Sequence, residues 1–220
     1  MFQMVKDVLT AAELHELTRI AGALQFVDGR VSNPHSLAKN NLQVDIGQPE
    51  AGRAAQIANA AIMRNEEIRN FVFPKRVAAP LLCRYDPGMT YGVHADSALL
   101  PVPGGPLRSD VSGTLWLGDP SSYDGGELRI HLGTEAVTIK GEPGSMSLYP
   151  STTLHEVTPV RSGRRLVMIT FIESYIPDQT QRELLWTLNE VNALEGYNIT
   201  WENRTRLNFI SASLHRMWSA

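Results

Sequence analysis

The sequence is short of the features that mark secreted and membrane proteins. Its 220 residues include one cysteine, Cys83, so no internal disulfide can form. No apolar run approaches the roughly 18–20 residues of a membrane-spanning helix. The first residues lack the basic start and long apolar stretch of a signal peptide. We therefore expect a cytoplasmic protein in a reducing compartment, with no membrane partner.

The sequence also has no large excess of charge of either sign. The formal net charge is −3, which provides no broad basic field for holding a phosphate backbone. We therefore expect no nucleic-acid partner. A hydrophobic content of 43% with 20% charged residues is typical of an ordinary globular domain, and the length suffices for a sizeable core.

The N-terminal third predicts helices. Thr10-Ala-Ala-Glu13 has the form of a capping box. Apolar residues follow it at helical spacing, namely Leu14, Leu17, Ala21 and Leu24. A second helix is predicted over about residues 52–65. The polar segment 33–41 between them is predicted to be irregular.

From Val77 to Tyr175 the pattern changes to short β-rich runs separated by turn-forming residues such as Asp86-Pro-Gly and Gly141-Glu-Pro-Gly. Strands at this spacing indicate a sandwich, jelly roll or barrel. The predicted strands are Ala79–Tyr85, Thr90–His94, Gly113–Leu117, Glu127–His131, Ala136–Lys140, Ser145–Tyr149, Leu154–Pro159 and Arg165–Tyr175.

Beyond Pro177 the pattern becomes helical again, with Asp178 as the expected N-cap. Leu207, Ile210, Leu214 and Met217 recur at helical spacing near the C-terminus. We therefore divide the chain into a main domain, residues 1–177, and a C-terminal helical extension, residues 178–220. The apolar stripe favours packing either on the main domain or on a second subunit, which would make a homodimer.

Four residues have the character of one binding site. His94 ends a predicted strand and Asp96 follows two residues later. If the strand continues that far, both side chains point to the same face. His155 and Arg165 lie on later predicted strands. Two histidines and one carboxylate on one face of a metal leave the opposite positions open, which is typical of non-haem Fe(II) oxygenases.

The separation of His155 and Arg165 helps to choose between β architectures. In a plain hairpin turning at Gly163, Arg165 would lie roughly 20 Å from the histidine's cross-strand partner, at about 3.4 Å per residue. That distance is too long for both residues to share a small ligand. A jelly roll sends successive strands to opposing sheets and lets both side chains enter one cavity.

Three motifs carry a resemblance to a known family. They are Arg84-Tyr-Asp-Pro-Gly-Met-Thr-Tyr-Gly-Val-His-Ala-Asp96, Asp124-Gly-Gly-Glu-Leu, and Tyr149-Pro-Ser followed by Leu154-His-Glu-Val-Thr-Pro-Val. In them the chain resembles the Fe(II)- and 2-oxoglutarate-dependent dioxygenases of the prolyl-4-hydroxylase-like group, and most of all the bacterial PKHD-type hydroxylases. The resemblance implies an α+β fold, with a double-stranded β-helix (jelly roll) core, N-terminal helices packed on it and a C-terminal helical extension.

Carried over residue by residue, the resemblance implies that His94, Asp96 and His155 bind Fe(2+). It implies that Arg165 binds the distal carboxylate of 2-oxoglutarate and that Tyr85 hydrogen-bonds the same co-substrate. It also implies L-ascorbate as the reductant of oxidised iron. The expected reaction is hydroxylation of a substrate C–H bond, with release of succinate and CO2.

Trp116 falls where some relatives of this group have a tyrosine that reaches the distal carboxylate. An indole can only donate, and only through its ring nitrogen. The sequence therefore leaves a contact between Trp116 and 2-oxoglutarate open.

The segments 33–41 and 97–112 are the expected walls of the substrate pocket, because loops on a rigid β-scaffold usually carry specificity. The substrate class stays open. A peptidyl residue, a free amino acid and a small metabolite such as a siderophore all fit the resemblance. Two other functions are compatible with the same residues. One is a zinc-dependent hydrolase or isomerase that uses the two histidines and Asp96. The other is a ligand sensor on the same jelly-roll fold that does not turn its ligand over.

Overall fold

Two large antiparallel β-sheets, with helices against the outer face of the larger one, form the core of the computed structural model, which describes residues 2–220. Two further sheets have two strands each. The helices are α1 (Ala11–Ala23), α2 (Pro49–Arg64), α3 (Glu66–Val72), α4 (Gln179–Glu195) and α5 (Trp201–Trp218), with short 3-10 turns at Gly29–Ser32 and Pro120–Ser122. Within residues 2–220, none of the helices combines the length and apolarity needed to cross a bilayer.

The strands are short. They are β1 (Gln3–Val5), β2 (Phe26–Asp28), β3 (Lys39–Asn40), β4 (Leu42–Val44), β5 (Pro74–Val77), β6 (Leu81–Tyr85), β7 (Thr90–His94), β8 (Leu99–Leu100), β9 (Leu107–Arg108), β10 (Val111–Trp116), β11 (Asp124–Gly125), β12 (Leu128–Leu132), β13 (Glu135–Ile139), β14 (Met146–Pro150), β15 (His155–Val157), β16 (Val160–Ser162) and β17 (Arg165–Ser174).

The order of strands in the two large sheets defines the topology. The larger sheet has the order β1-β14-β10-β17-β6-β4-β2, with β5 also paired to β17. The smaller sheet has the order β13-β12-β15-β7-β3. Along the chain, β6, β10, β14 and β17 lie in the larger sheet, whereas β7, β12, β13 and β15 lie in the smaller one. This alternation between opposing sheets is the predicted double-stranded β-helix, and it confirms the α+β jelly roll.

The eight predicted strands correspond to β6, β7, β10, β12, β13, β14, β15 and β17, with ends that differ by a few residues. Sequence patterns missed the other nine strands, because strands of two to four residues are too short to show a period. They also missed α3, which follows α2 after Asn65 alone and is capped by the Asn65 side chain. The second helix begins at Pro49, earlier than predicted, with proline in the first turn, where its missing N–H costs nothing.

The larger sheet is buried on both faces. One face carries Leu82, Leu115 and Met168, which pack against helical residues such as Leu17 and Ile62. The opposite face packs on the smaller sheet, in a cluster that contains Trp116, Tyr149, Val167, Leu128 and Ile130. In β17, Val167 therefore belongs to one cluster and Met168 to the other, as the apolar sequence of this strand predicts.

A capping box starts α1, as the sequence predicts. The Glu13 amide donates to Thr10 Oγ1 at 3.2 Å, and the Thr10 amide donates to the Glu13 carboxylate at 2.9 Å. The same carboxylate forms a two-point ion pair with Arg64 at the end of α2. The hydrogen bonds from Arg64 are the main cause that lowers the pKa of Glu13 from 4.5 to about 2. Glu13 thus joins the first two helices.

The C-terminal extension is an antiparallel helical hairpin. Asp178 caps α4, as predicted, by accepting from the Gln181 amide at 2.9 Å. Side-chain contacts of Asn192 with Asn208 and of Asn189 with Ser211 align α4 with α5. The hairpin packs on its own chain, because the ring of Trp186 meets that of Phe71 in α3 at 5.5 Å, edge to face.

We predict that Glu13→Gln lowers the free energy of unfolding at pH 7 by about 0.5–1 kcal/mol, the range of a solvent-accessible ion pair. Glutamine can still close the capping box, so the loss isolates the charge. Because the folded-state pKa is lowered, the charge stabilises the protein above pH 4.5 and stops doing so as the pH falls toward about 2. Urea unfolding across this pH range should show the free energies of unfolding of the wild type and of Glu13→Gln converging as the pH falls. Glu135→Gln, at an exposed strand position, is the control. A difference that stays constant down to pH 2 would contradict the role of the Glu13 charge.

Candidate active site

His94 and His155 are brought together by the pairing of β7 with β15, in which they are register partners. The Nδ1 atom of His94 lies 2.8 Å from the Gly92 carbonyl oxygen, and Nδ1 of His155 lies 2.9 Å from that of Thr153. A carbonyl oxygen can only accept, so each Nδ1 carries the proton. Both Nε2 atoms therefore present lone pairs, the form in which histidine ligates a metal.

Asp96 completes the cluster from an unexpected position. It lies two residues beyond the end of β7, outside regular secondary structure. The two side chains converge as expected, but a shared strand face is not what aligns them. Its amide donates to the Ser151 carbonyl at 3.3 Å, and its Oδ2 accepts a 2.5 Å hydrogen bond from Ser112 Oγ. These contacts turn the carboxylate toward the imidazoles, with Oδ1 3.8 Å from His94 Nε2 and Oδ2 3.7 Å from His155 Nε2.

The three candidate ligand atoms lie within 4.8 Å of one another. Burial, followed by the proximity of His155, lowers the pKa of His94, which favours the neutral imidazole that a metal requires. Aromatic rings hold both histidines in place. Tyr91 stacks on His94 with ring centroids 3.6 Å apart, and Tyr149 meets His155 edge to face at 4.9 Å.

Arg165 enters from the opposite sheet, at the start of β17, where it is the register partner of Tyr85. Its side chain packs against two aromatic rings, with the guanidinium carbon 4.8 Å from the centroid of Tyr85 and 5.0 Å from that of Trp116. Arg165 is only 2% exposed. Within residues 2–220 it forms no ion pair, and its buried Nε has no hydrogen-bond partner. An unpaired buried cation costs several kcal/mol, so this position is suited to an anion.

One cavity joins these groups. His94, Asp96, His155, Arg165 and Tyr85 all line it. Burial raises the pKa of Tyr85, so its phenol stays protonated and can donate a hydrogen bond. The structure thus collects every residue that the sequence singled out for the iron and co-substrate sites.

Trp116 does not line this cavity. Its ring nitrogen donates to Ser147 Oγ at 2.8 Å, and the residue is fully buried. The indole has no second donor, so it cannot also hydrogen-bond a ligand. Trp116 instead forms an apolar wall against which the Arg165 guanidinium packs.

Three cavity residues, Lys39, Asn41 and Ser112, lie in the segments 33–41 and 97–112 that were expected to wall the substrate pocket, but sequence reasoning singled out none of them individually. Lys39 reaches the site because β3 pairs with β7. Asn41 is the first residue after β3. These contacts join segments that are far apart in the chain, and no local pattern predicts them. Ser112 is hidden in an apolar strand, where a small polar residue is usually a packing residue.

The donor set fits a non-haem iron. Two imidazole nitrogens and one carboxylate oxygen form a facial triad that leaves coordination positions free. The nearby unpaired Arg165 adds the cationic partner that a dicarboxylate co-substrate needs.

A family model described as the 2OG-Fe(II) oxygenase superfamily matches residues 80–173. The chain is also 49% identical over 219 residues to a PKHD-type hydroxylase of Sphingopyxis alaskensis, covering 99% of each chain. The chain belongs to the PKHD-type hydroxylases. It is thus an enzyme, a dioxygenase of the 2OG-Fe(II) family, whose members use Fe(II) and 2-oxoglutarate.

Solved structures share the fold at low sequence identity. A prolyl hydroxylase of Trichoplax adhaerens, in complex with a peptide fragment of hypoxia inducible factor, has a TM-score of 0.57 at 18% identity and covers 83% of this chain and 86% of its own. HygX of Streptomyces hygroscopicus, with nickel, 2-oxoglutarate and hygromycin B bound, has a TM-score of 0.53 at 15% identity, with coverages of 79% and 82%.

Proposed function

We propose that this PKHD-type hydroxylase hydroxylates a C–H bond of an organic substrate, with release of succinate and CO2 from 2-oxoglutarate. The observation that carries the proposal is the buried, unpaired Arg165 in the same cavity as the cluster of His94, Asp96 and His155. A metal site alone would serve many reactions. A cation without a counter-ion beside it is needed only if a second, anionic ligand binds there.

The metal ligands in this proposal are His94, Asp96 and His155. The Gly92 and Thr153 carbonyls hold the imidazoles in the tautomer that exposes Nε2. Ser112 donates to the Asp96 carboxylate and keeps it aimed at the same point. Hydrogen bonds of this kind fix ligand orientation and raise metal affinity.

Arg165 and Tyr85 are the proposed residues for 2-oxoglutarate. A guanidinium can bind both oxygens of a carboxylate at once, and the protonated Tyr85 phenol can donate one more hydrogen bond. Trp116 packs on the guanidinium and keeps water from it. With Fe(II) and 2-oxoglutarate held by these residues, dioxygen would be the oxidant. One of its oxygen atoms would enter succinate as CO2 leaves, and the other would become the hydroxyl oxygen on the substrate carbon.

The redox setting follows from the same chemistry. We place L-ascorbate as the reductant that restores oxidised iron, in line with the family resemblance. The one cysteine, Cys83, is buried and unpaired, and burial raises its pKa to about 11, so it stays an unreactive thiol. These properties support the cytoplasm as the location of the enzyme.

Related enzymes accept both peptides and small molecules, as the hypoxia inducible factor fragment and hygromycin B illustrate. A peptidyl residue, an amino acid and a small metabolite such as a siderophore are therefore the substrate classes to test. A zinc hydrolase or isomerase and a ligand sensor are the alternative functions. Zinc occupancy without succinate formation would support the first. Binding of iron and 2-oxoglutarate without succinate, across a substrate panel, would support the second.

We predict that His94→Ala, Asp96→Ala and His155→Ala each abolish iron-dependent succinate formation, because a facial triad has no spare ligand. Asp96 is the only anionic ligand of the three, so its loss should weaken metal binding most. Metal analysis and a succinate assay check this, with thermal unfolding to show that each variant folds. His131→Ala, on the same sheet but outside the cavity, is the control. Wild-type turnover at wild-type iron content in any triad variant would refute the assignment.

Arg165 gives the sharpest test of the proposed reaction. Each charge-assisted hydrogen bond contributes about 1.5–3 kcal/mol, so losing a two-point contact should weaken 2-oxoglutarate binding about 100-fold or more. Arg165→Ala should show this loss with little change in metal affinity. Arg165→Lys keeps the charge without the fork and should be intermediate.

The measurement is calorimetric titration of the Mn(II)-loaded enzyme with 2-oxoglutarate. Arg161→Ala is a matched control, since Arg161 is exposed and pairs with Asp124 outside the cavity. An unchanged dissociation constant in folded Arg165→Ala would exclude the proposed contact.

We also propose a homodimer that uses the C-terminal stripe. In the structure this stripe divides into two parts. Leu207 and Leu214 are half-buried in the chain itself, whereas Ile210 and Met217 are 42% and 73% exposed. We expect light scattering at micromolar concentration to give twice the chain mass, and Met217→Glu to halve it, because a charge cannot be buried unpaired at an apolar contact. A wild-type monomer would contradict the dimer.

A further inference from the structure

Lys39 is a buried lysine in the active-site cavity that the proposed reaction leaves without a role. It lies on β3, where its register partner is Tyr91 of β7. The two strands come close because Gly92 faces Ala38. The Gly92 amide donates to the Ala38 carbonyl at 2.9 Å, and a Cβ on Gly92 would lie only 3.2 Å from the Ala38 Cβ. Lys39 is 7% exposed and lines the cavity together with the metal cluster.

The hydrogen bonding of Lys39 is incomplete. An ammonium group has three N–H donors, and in the described chain only one meets an acceptor, Ser32 Oγ at 2.7 Å. Nor does Lys39 form an ion pair in residues 2–220. The nearby carboxylate of Asp28 is taken by a two-point contact with Arg30. Two donors of a buried cation are therefore free for a ligand.

The ammonium is close to the metal cluster. Its nitrogen lies 5.7 Å from the Tyr91 ring centroid, and that centroid lies 3.6 Å from the centroid of His94. The distance from the Lys39 nitrogen to the centroid of the His94 ring therefore cannot exceed the sum of these two distances. A small organic molecule can span this separation and place a C–H bond near the metal position.

Charge balance points to an anion at this place. A divalent metal, the Asp96 carboxylate, dianionic 2-oxoglutarate and the Arg165 guanidinium sum to zero. Lys39 then leaves one uncompensated positive charge on a side chain that is almost fully buried, which is costly unless a further anion binds. Burial also lowers the pKa of Lys39, because its charged form loses water.

We infer that Lys39 is a specificity-determining residue that binds a carboxylate of the substrate. This inference rests on the proposed function and narrows its substrate class to organic acids: a free amino acid, an acidic side chain or a carboxylated metabolite. An uncharged residue within a peptide would leave the ammonium unpaired. Two other roles compete: Lys39 could bind 2-oxoglutarate itself, or it could only support Ser32.

The test uses two probes that differ only in charge, hexanoate and hexanamide. The enzyme is loaded with Mn(II), which is paramagnetic, and saturated with 2-oxoglutarate so that Arg165 is occupied. Enhanced proton relaxation of a probe then reports its binding near the metal. We expect hexanoate to bind wild-type enzyme about tenfold more tightly than hexanamide, the contribution of one charge-assisted hydrogen bond.

Lys39→Met, which keeps length and apolar bulk, should remove the preference for hexanoate, and Lys39→Arg should retain most of it. Lys6→Met, at an exposed lysine, is the control and should behave as wild type. Thermal unfolding shows whether each variant folds. If Lys39→Met is unstable, the arginine variant and the comparison of the two probes on the wild type still decide.

The outcomes separate the three roles. Equal binding of the two probes to the wild type overturns the inference, as does an unchanged preference in folded Lys39→Met. Weaker 2-oxoglutarate binding in Lys39→Met by calorimetry assigns the lysine to the co-substrate and also overturns it. Failure of the proposed function would look different, because wild-type enzyme would then neither bind 2-oxoglutarate nor form succinate.

Discussion

The pairing of β7 with β15 is the contact on which the rest of the site depends. It makes His94 and His155 register partners, and the local carbonyls then select the tautomer of each ring. Asp96 can join them only because the chain leaves β7 directly after His94 and is held by Ser112 of the opposite sheet. Arg165 belongs to that opposite sheet too. The separation of the two sheets therefore sets the distance between the metal position and the anion position.

Much of this arrangement was predictable from the sequence. Alternating short strands and turn residues indicated the jelly roll, and the separation of His155 from Arg165 excluded a plain hairpin, in agreement with their placement in different sheets. Local signals also located the caps of α1 and α4, because capping depends on residues only three positions apart. The caps were predictable because each signal lies within a single turn of helix, and the jelly roll because each strand carries its own short pattern.

What failed depended on contacts between distant segments. The position of Asp96 beyond its strand is set by Ser112 and Ser151, neither of which is near it in the chain. Lys39 becomes part of the cavity only when a two-residue strand finds its register on β7. Such short strands have no period of their own, so tertiary packing decides where they lie. The sequence accordingly predicted the reactive groups and the segments that surround them, but not which residues of those segments line the cavity.

The edge position of β3 separates two tasks of the protein. This strand is the last of the smaller sheet, it pairs with β7 over only two residues, and it precedes all eight strands of the jelly roll in the chain. Substitutions or small insertions in and next to β3 would disturb few backbone hydrogen bonds of the jelly roll. An enzyme built this way can acquire a new substrate through changes at this edge strand, while the residues for the metal and for 2-oxoglutarate are inherited unchanged. Selection on substrate choice and selection on chemistry then act on different parts of the chain.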